Sequence, residues 1–426
     1  MKIIILSFYF TIVFLFQISS SAYSQQSKFN SSGPNAKVLG EDKNFTFCKN
    51  YSDHWSKPEC RIGNFSEMDR ILNNYRLTTT SKDKINLNFN QNPPEGLIKK
   101  IDDYISKHSV MGFLILKNGE IVIERYQYGR KKDMTFRIFS MSKTFIAMLT
   151  GIAMEKGLIK LEDKVSNYWP EIKDSVYGNI TVKELLLMSS GVEGGEYSTT
   201  PGPNWPQMWT ELFKRENLSQ PNKFNDYLNG IKSYGRKGNF RYSDLDTEVL
   251  SRVLVKATKK NIATLTSEWL WQPIDAEITA EWLYATTDSI EQGSGGFHAS
   301  LSDLGKFGVL LANDGKYKNK QIIPYNFLLE ATDVNKTPKT HIAISNYNAF
   351  QYGYGYQTWL QPNKDRTFCA LGHYGQIICV QPSSKIVMVQ TAVEGHDAWK
   401  NSFGNMGGSL TSIWKEILKD LGGSND

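Results

Sequence analysis

The sequence predicts an α/β protein of the α+β type: a mainly antiparallel sheet flanked by N- and C-terminal helices, with an all-helical domain inserted into it. Three observations carry this. Two β-prone runs open at 111–116 and 121–126. Strand-like runs return near the C-terminus at 367–371, 376–380 and 385–393. Between them, from about 160 to 290, helical patterns alternate with turn clusters.

The first pair of runs is joined through Lys117-Asn118-Gly119-Glu120, and Asn-Gly between such runs is the strongest short-range hairpin signal. Pro382-Ser383-Ser384 supplies the turn between the last two runs. A helix is expected over 140–156. Ser140 stands at its entrance, Lys156 in its last turn and Gly157 just beyond. Its apolar residues, Phe145, Ile146, Met148, Leu149, Ile152 and Ala153, cover most of its faces, so it should be buried nearly all round. The clearest later helices are 181–188 and 246–258. A final amphipathic helix places Leu410, Ile413, Trp414, Ile417, Leu418 and Leu421 on one side. The expected division is a signal peptide at 1–24 and an irregular extension at 25–95. The sheet domain then comprises 96–136 and 290–426, and the helical domain 137–289.

The N-terminus bears on compartment. Lys2 precedes an apolar run from Ile3 to Phe16, and Ser19-Ser20-Ser21-Ala22 leads into polar sequence at Gln25-Gln26. A charged start, a short apolar core and a small-residue exit describe a secretory signal, cleaved near Ala22 or Ser24. A retained anchor is the other reading, the run being slightly short for a span. No Cys ends the run, which argues against a bacterial lipid anchor.

The 426 residues are 40% hydrophobic, as a folded globule should be, and carry a formal charge of only +6. The lysines are scattered and no basic stripe interleaves with aromatics, so nucleic acid is not an expected partner. Cys48 and Cys60 lie close enough to close a small disulfide loop. Cys369 and Cys379 fall in apolar strand-like runs, where buried free thiols are expected. No CxxC occurs and the six His stand singly, so neither metal nor cofactor is expected.

Ser140-Met141-Ser142-Lys143 is the central motif. Positions i and i+3 share a helix face, which brings Ser140 and Lys143 within reach of one another. A serine hydroxyl needs a neighbouring base to act as a nucleophile, and burial can make lysine that base. By itself the string also fits an N-cap serine and a surface lysine. About a hundred residues on, Tyr242 and Asp244 stand just before the helix at 246–258. A tyrosine at a loop-to-helix junction can pass a proton between nucleophile and leaving group. The plainer reading is a half-buried Tyr with Asp244 capping the helix.

Ser140-x-x-Lys143, then Tyr242-x-Asp244, then a Gly-containing strand near the C-terminus resembles the serine β-lactamase and penicillin-binding-protein superfamily, from about residue 97 onward. The stretch 180–191, Gly295-Gly296-Phe297 and the stretch 301–308 look like further segments of that family. Trp271-Gln272-Pro273-Ile274, the stretch 246–250 and Gly372-His373-Tyr374-Gly375-Gln376 look most like 6-aminohexanoate-dimer hydrolases and related esterases. The resemblance implies a β-lactamase/transpeptidase-like fold, with Ser140 as nucleophile, Lys143 as its base partner and Tyr242 as proton shuttle.

Two departures stand out. The family's second motif usually reads Tyr-x-Asn, whereas this chain has Asp244, and an ionised Asp cannot donate to a substrate carbonyl. The family's Lys-Thr-Gly has no plain counterpart. One register aligns it with Ala370-Leu371-Gly372, so that the His373 N–H joins that of Ser140 in an oxyanion hole. The other uses His373-Tyr374-Gly375. Asp244, Gly372, His373 and Gly375 are thus the expected substrate-binding residues, with His373 also readable as a solvent-facing strand residue. No G-x-S-x-G is present, which argues against an α/β-hydrolase. The expectation is an exported, periplasmic or secreted serine hydrolase acting through an acyl-enzyme on a small ester, amide or short peptide, with no stable anchor after cleavage. A D-alanyl-D-alanine carboxypeptidase, a β-lactamase and a non-catalytic acylated receptor are the alternatives.

Overall fold

A computed structural model describes residues 27–425, except 51, 52, 55, 83, 193–207, 209–211, 213–219, 221, 232–234, 345–350, 363 and 395–404. The apolar leader and its exit lie outside the described residues. Among the described residues, no helix is long and apolar enough to cross a membrane.

The chain begins with β1 (Ser27–Phe29), α1 (Arg61–Ser66), β2 (Tyr75–Thr78) and α2 (Glu95–Ile105). It continues with β3 (Val110–Lys117), β4 (Glu120–Tyr126), β5 (Thr135–Arg137), α3 (Ser142–Glu155) and α4 (Asp244–Thr258). Then come β6 (Ala280–Leu283), β7 (Phe297–Ser300), α5 (Leu301–Ala312) and a small hairpin of β8 (Lys316–Tyr317) and β9 (Lys320–Gln321). The last part holds β10 (Gly353–Tyr354), β11 (Trp359–Leu360), β12 (Phe368–Gly372), β13 (Gln376–Gln381), β14 (Ile386–Ala392) and α6 (Asn405–Asp420).

Eight strands form the main sheet, in the order β1-β4-β3-β14-β13-β12-β11-β10. All its pairings are antiparallel except β1 with β4. The expected β3–β4 hairpin is present, with Lys117 opposite Glu120. Asn118 and Gly119 take φ of 53° and 81°, the left-handed pair that a two-residue hairpin turn requires. The segment expected to be irregular supplies β1 to this sheet and β2 to a second one, of order β2-β6-β7-β5.

Side-chain alternation divides the core into two layers. Phe113, Ile115, Ile377, Cys379 and Met388 face α2 and α6, where Leu97, Ile101, Trp414 and Ile417 cover them. Leu114, Leu116, Ile378, Val387 and Val389 face the opposite way, into the larger core with α5 and α3. Helix α5 lies tight on that face through two glycines. A Cβ on Gly305 would come 2.6 Å from Leu114 Cδ2, and one on Gly308 would come 2.4 Å from Val387 Cγ1. Helix α3 is buried continuously from Ser142 to Ala153, and Phe145 stacks on Phe307 of α5 at 3.9 Å.

Cys48 and Cys60 are joined, as expected. Cys369 and Cys379 are joined as well, which corrects the expectation of free thiols. The reason lies in register: β12 and β13 are consecutive antiparallel strands that place the two residues directly opposite, with Cα atoms 4.2 Å apart. Peptide mapping of the non-reduced, alkylated protein should therefore find two intrachain links, 48–60 and 369–379. Recovery of alkylated Cys369 or Cys379 peptides would contradict the second link.

Candidate active site

The site is assembled where β5 runs into α3. Ile138 continues the strand by donating its N–H to Phe297 O at 3.1 Å, and the chain then turns sharply through Phe139-Ser140-Met141 before α3 begins at Ser142. Phe139 has φ 48°, a left-handed conformation for a residue with a bulky side chain. Such a residue costs roughly 1–3 kcal/mol and persists only when its surroundings hold it. Ser142 is one holder: its buried Oγ donates to Phe139 O at 2.7 Å and accepts the Phe297 N–H at 3.2 Å. Arg137 is another, its guanidinium lying 4.2 Å from the Phe139 ring centroid. The turn leaves Ser140 half-buried rather than sealed in the core.

Lys143 lies one helical turn on, and it is no surface lysine: its side chain is 1% exposed. Its ammonium donates to Ser140 Oγ at 2.9 Å and to the Ser294 carbonyl at 2.7 Å. It lies 2.5 Å from Asp244 Oδ1, and 5.0 Å from the centroid of the Tyr242 ring. The Ser294 carbonyl is itself fixed, because the Ser294 N–H donates to Glu248 Oε1 at 3.1 Å. Glu248 also pairs with Arg252 at 3.0 Å, and Arg252 with Asp288 at 2.8 Å. Glu248 and Ser294 escaped the sequence reading. Two acids on the inward face of an amphipathic helix were the available signal for the first; a carbonyl partner leaves none.

Helix α4 brings Asp244 to this point. Its N-cap is Ser243, whose Oγ accepts the Asp246 N–H at 3.2 Å, so Asp244 is not the cap. Asp244 occupies the first turn, where the helix dipole favours negative charge. The start of the helix is pinned by buried Asp246, which accepts from Tyr177 Oη at 2.7 Å and Ser190 Oγ at 2.8 Å. Burial raises the Asp246 carboxyl to about 6, against these hydrogen bonds, which work to lower it. The Asp244 carboxylate therefore lies against Lys143, a partner that the sequence alone does not indicate.

Tyr242 precedes the cap and is half-buried. Its ring stacks on Trp359 of β11 at 5.5 Å and meets Tyr354 of β10 edge-on at 6.0 Å. Phe240 packs against both of those rings. This aromatic wall was not anticipated, because it joins a loop to a sheet edge more than a hundred residues away.

The end of β12 closes the other side. A Cβ on Gly372 would lie 2.3 Å from Ile138 O, so only glycine lets this strand lie against the turn that carries Ser140. His373 follows, half-buried; Tyr374 and Gly375 take φ of 60° and 91° before β13 departs. The turn is tied by Gln376 Nε2, which donates to His373 O at 3.1 Å, and by Gln390 Nε2, which donates to Gly375 O at 2.8 Å. Gly372 is thus the glycine that touches the turn carrying Ser140, and Gly375 is held toward β14. Ser140, Lys143, Tyr242 and Asp244 come together; Gly372 and His373 flank them. Among the described residues, the grouping with metal-ligand spacing is Cys48, Asp53 and Cys60, whose two sulfurs are already bonded to each other.

Comparison with known proteins agrees with this architecture. The chain is 23% identical over 282 residues to the 6-aminohexanoate-dimer hydrolase of Paenarthrobacter ureafaciens, covering 65% of this chain and 71% of that one. Among solved structures, it resembles a Bacillus anthracis protein provisionally assigned as a 6-aminohexanoate-dimer hydrolase. The TM-score is 0.63 at 24% identity, over 82% of this chain and 94% of that one. It also resembles EstCE1, a hydrolase with promiscuous acyltransferase activity, with a TM-score of 0.57 at 15% identity, over 71% and 95% of the two chains. The Beta-lactamase family profile matches residues 98–397, the span that contains β3 to β14, α3 and α4, and on that match the chain belongs to the Beta-lactamase family.

Proposed function

We propose that this chain is an exported serine hydrolase that cleaves small esters or amides through an acyl-enzyme on Ser140. One observation carries the reading: Ser140 Oγ, at a strained and half-buried turn, lies 2.9 Å from the amine of a lysine withdrawn from water. Ser140 Oγ attacks the substrate carbonyl carbon and passes its proton to Lys143, which acts as base in its neutral amine form, once the ammonium has given up a proton. Tyr242, beside the same amine, relays the proton to the leaving group. The N–H groups of Ser140 and His373 receive the developing oxyanion, and a pair of such donors contributes several kcal/mol to lowering the barrier. Water then repeats the sequence on the acyl-enzyme.

Substrate class follows from what lines the site. Where β-lactamases carry the Lys of Lys-Thr-Gly, β12 has Ala370 and Leu371, so this strand offers no cation to a substrate carboxylate. The stacked rings of Tyr242 and Trp359, half-buried and backed by the buried Tyr354, suit an apolar acyl or leaving group. Both features favour a neutral ester or small amide over a β-lactam or D-alanyl peptide. The leader sequence supports export.

Rates on p-nitrophenyl esters should exceed those on D-Ala-D-Ala peptides and nitrocefin; nitrocefin turnover exceeding ester turnover would overturn the ranking. Ser140→Ala should abolish both turnover and covalent labelling by a fluorophosphonate, read by intact mass, while leaving the thermal melt unchanged. Lys143→Arg keeps the charge but cannot give up a proton, and kcat should fall at least about 100-fold. An Arg variant with parental kcat would assign Lys143 a purely structural part.

Asp244 yields a stability prediction. Removing one member of a buried ion pair leaves the other charge uncompensated, at about 3–5 kcal/mol. Asp244→Ala should lose stability of that order in urea, and Asp244→Asn, which also lacks the charge but keeps an oxygen that accepts from Lys143, should lose somewhat less. Losses below about 0.5 kcal/mol in both variants would remove the ion pair from the account.

A further inference from the structure

The family match begins at residue 98, yet an earlier part of the chain reaches the nucleophile turn. Phe65 of α1 meets Phe139 edge-on at 4.9 Å and lies tilted against Tyr374 at 5.0 Å. The Arg61 guanidinium lies 5.2 Å from the Tyr374 centroid. His54 makes longer edge contacts with the same two rings, at 6.4 and 6.3 Å. Phe65 and His54 are fully buried. Burial, and secondarily the charge of Arg61, pushes His54 down to about 3, so its ring is uncharged across the neutral range.

Phe139 and Tyr374 are not arbitrary contacts. Both hold left-handed backbone, with φ of 48° and 60°. Phe139 immediately precedes Ser140, and Tyr374 immediately follows His373. Each residue whose amide is assigned to the oxyanion hole therefore adjoins a strained neighbour, and a single ring touches both neighbours.

The segment that carries this ring is braced. The Cys48–Cys60 link closes it. Gly63 lets α1 approach the Phe47 backbone so closely that a Cβ would fall 2.2 Å from Phe47 N. The Cys48 N–H donates to Asn64 Oδ1 at 2.8 Å, and Arg61 Nε donates to His54 O at 3.2 Å. Arg130 docks the end of α1, donating to Ser66 Oγ at 2.7 Å and Glu67 Oε1 at 3.2 Å.

We propose that Phe65, borne by this disulfide-closed N-terminal segment, is a positioning residue for the oxyanion hole, wedging Phe139 and Tyr374 so that the Ser140 and His373 amides converge. The proposal rests on Ser140 being the nucleophile. It extends the catalytic apparatus beyond the span that defines the family, and it makes the extension a part of the reaction rather than a cover.

The test compares the full-length parent with Phe65→Ala and Phe65→Leu. Three quantities are read: the second-order rate of fluorophosphonate labelling, kcat and KM on a p-nitrophenyl ester, and inhibition by phenylboronic acid, which forms a tetrahedral adduct on serine. In Phe65→Ala, labelling and kcat should fall at least about tenfold and the boronate Ki should rise in parallel, with KM within about threefold of the parent. Phe65→Leu, which keeps part of the apolar volume, should fall part-way. If the Ala chain does not fold, the Leu chain decides on the same readings. A folded variant that labels at the parental rate, or one whose KM alone moves, overturns the proposal. A parent that is not labelled at Ser140 overturns the nucleophile assignment itself, and is seen before any variant is made.

Discussion

A lysine ammonium with almost no access to water is the constraint around which this molecule is built. Desolvating such a charge is expensive, and it is tolerated only where the surroundings supply oxygens in the right directions. Lys143 finds them in the Ser140 hydroxyl, the Ser294 carbonyl and the Asp244 carboxylate. These come from three separate stretches of chain, so solvating the amine requires α3, α4 and the loop before β7 to dock together. The Glu248–Arg252–Asp288 chain behind Ser294 extends the same requirement outward.

The two sheets serve this arrangement from opposite sides. The smaller one delivers β5, and with it the strained turn at Phe139. The larger one delivers the end of β12, where the absence of a side chain at Gly372 lets two backbones meet. Strain at Phe139 is held by Ser142, Arg137 and Phe65, drawn from three different elements. A local conformation that the chain would not choose alone is thus imposed by packing contributed from across the fold.

What could be read in the sequence was what is local or ordered. The β3–β4 hairpin announces itself through Asn118-Gly119, and Ser140 with Lys143 through helical spacing. Tyr242 and Asp244 were picked out by their order along the chain. The partners of these residues were not legible, because partnership is decided by docking. Asp244 looked like a helix cap or a substrate contact, and which way its carboxylate points depends on how α4 meets α3. Cys369 and Cys379 looked like small hydrophobes, and their pairing depends on strand register. Phe65 lay in a segment with no periodicity, and its contact with Phe139 spans more than seventy residues.

The main sheet has a further consequence for how the chain reaches this structure. Its most non-local pairing joins β3 to β14, with Ile115 opposite Met388, roughly 270 residues apart in sequence. Non-local pairing of that kind must meet its loop-closure entropy before any contact rewards it, which slows folding. During synthesis the β3–β4 hairpin emerges with its inner edge unpaired, and it keeps that exposed edge until nearly the whole chain has been made. Such an edge is a template for pairing with other chains. The assembled protein is therefore separated from its nascent form by an interval in which its most apolar strand is open to aggregation, and only completion of the C-terminal strands ends that interval.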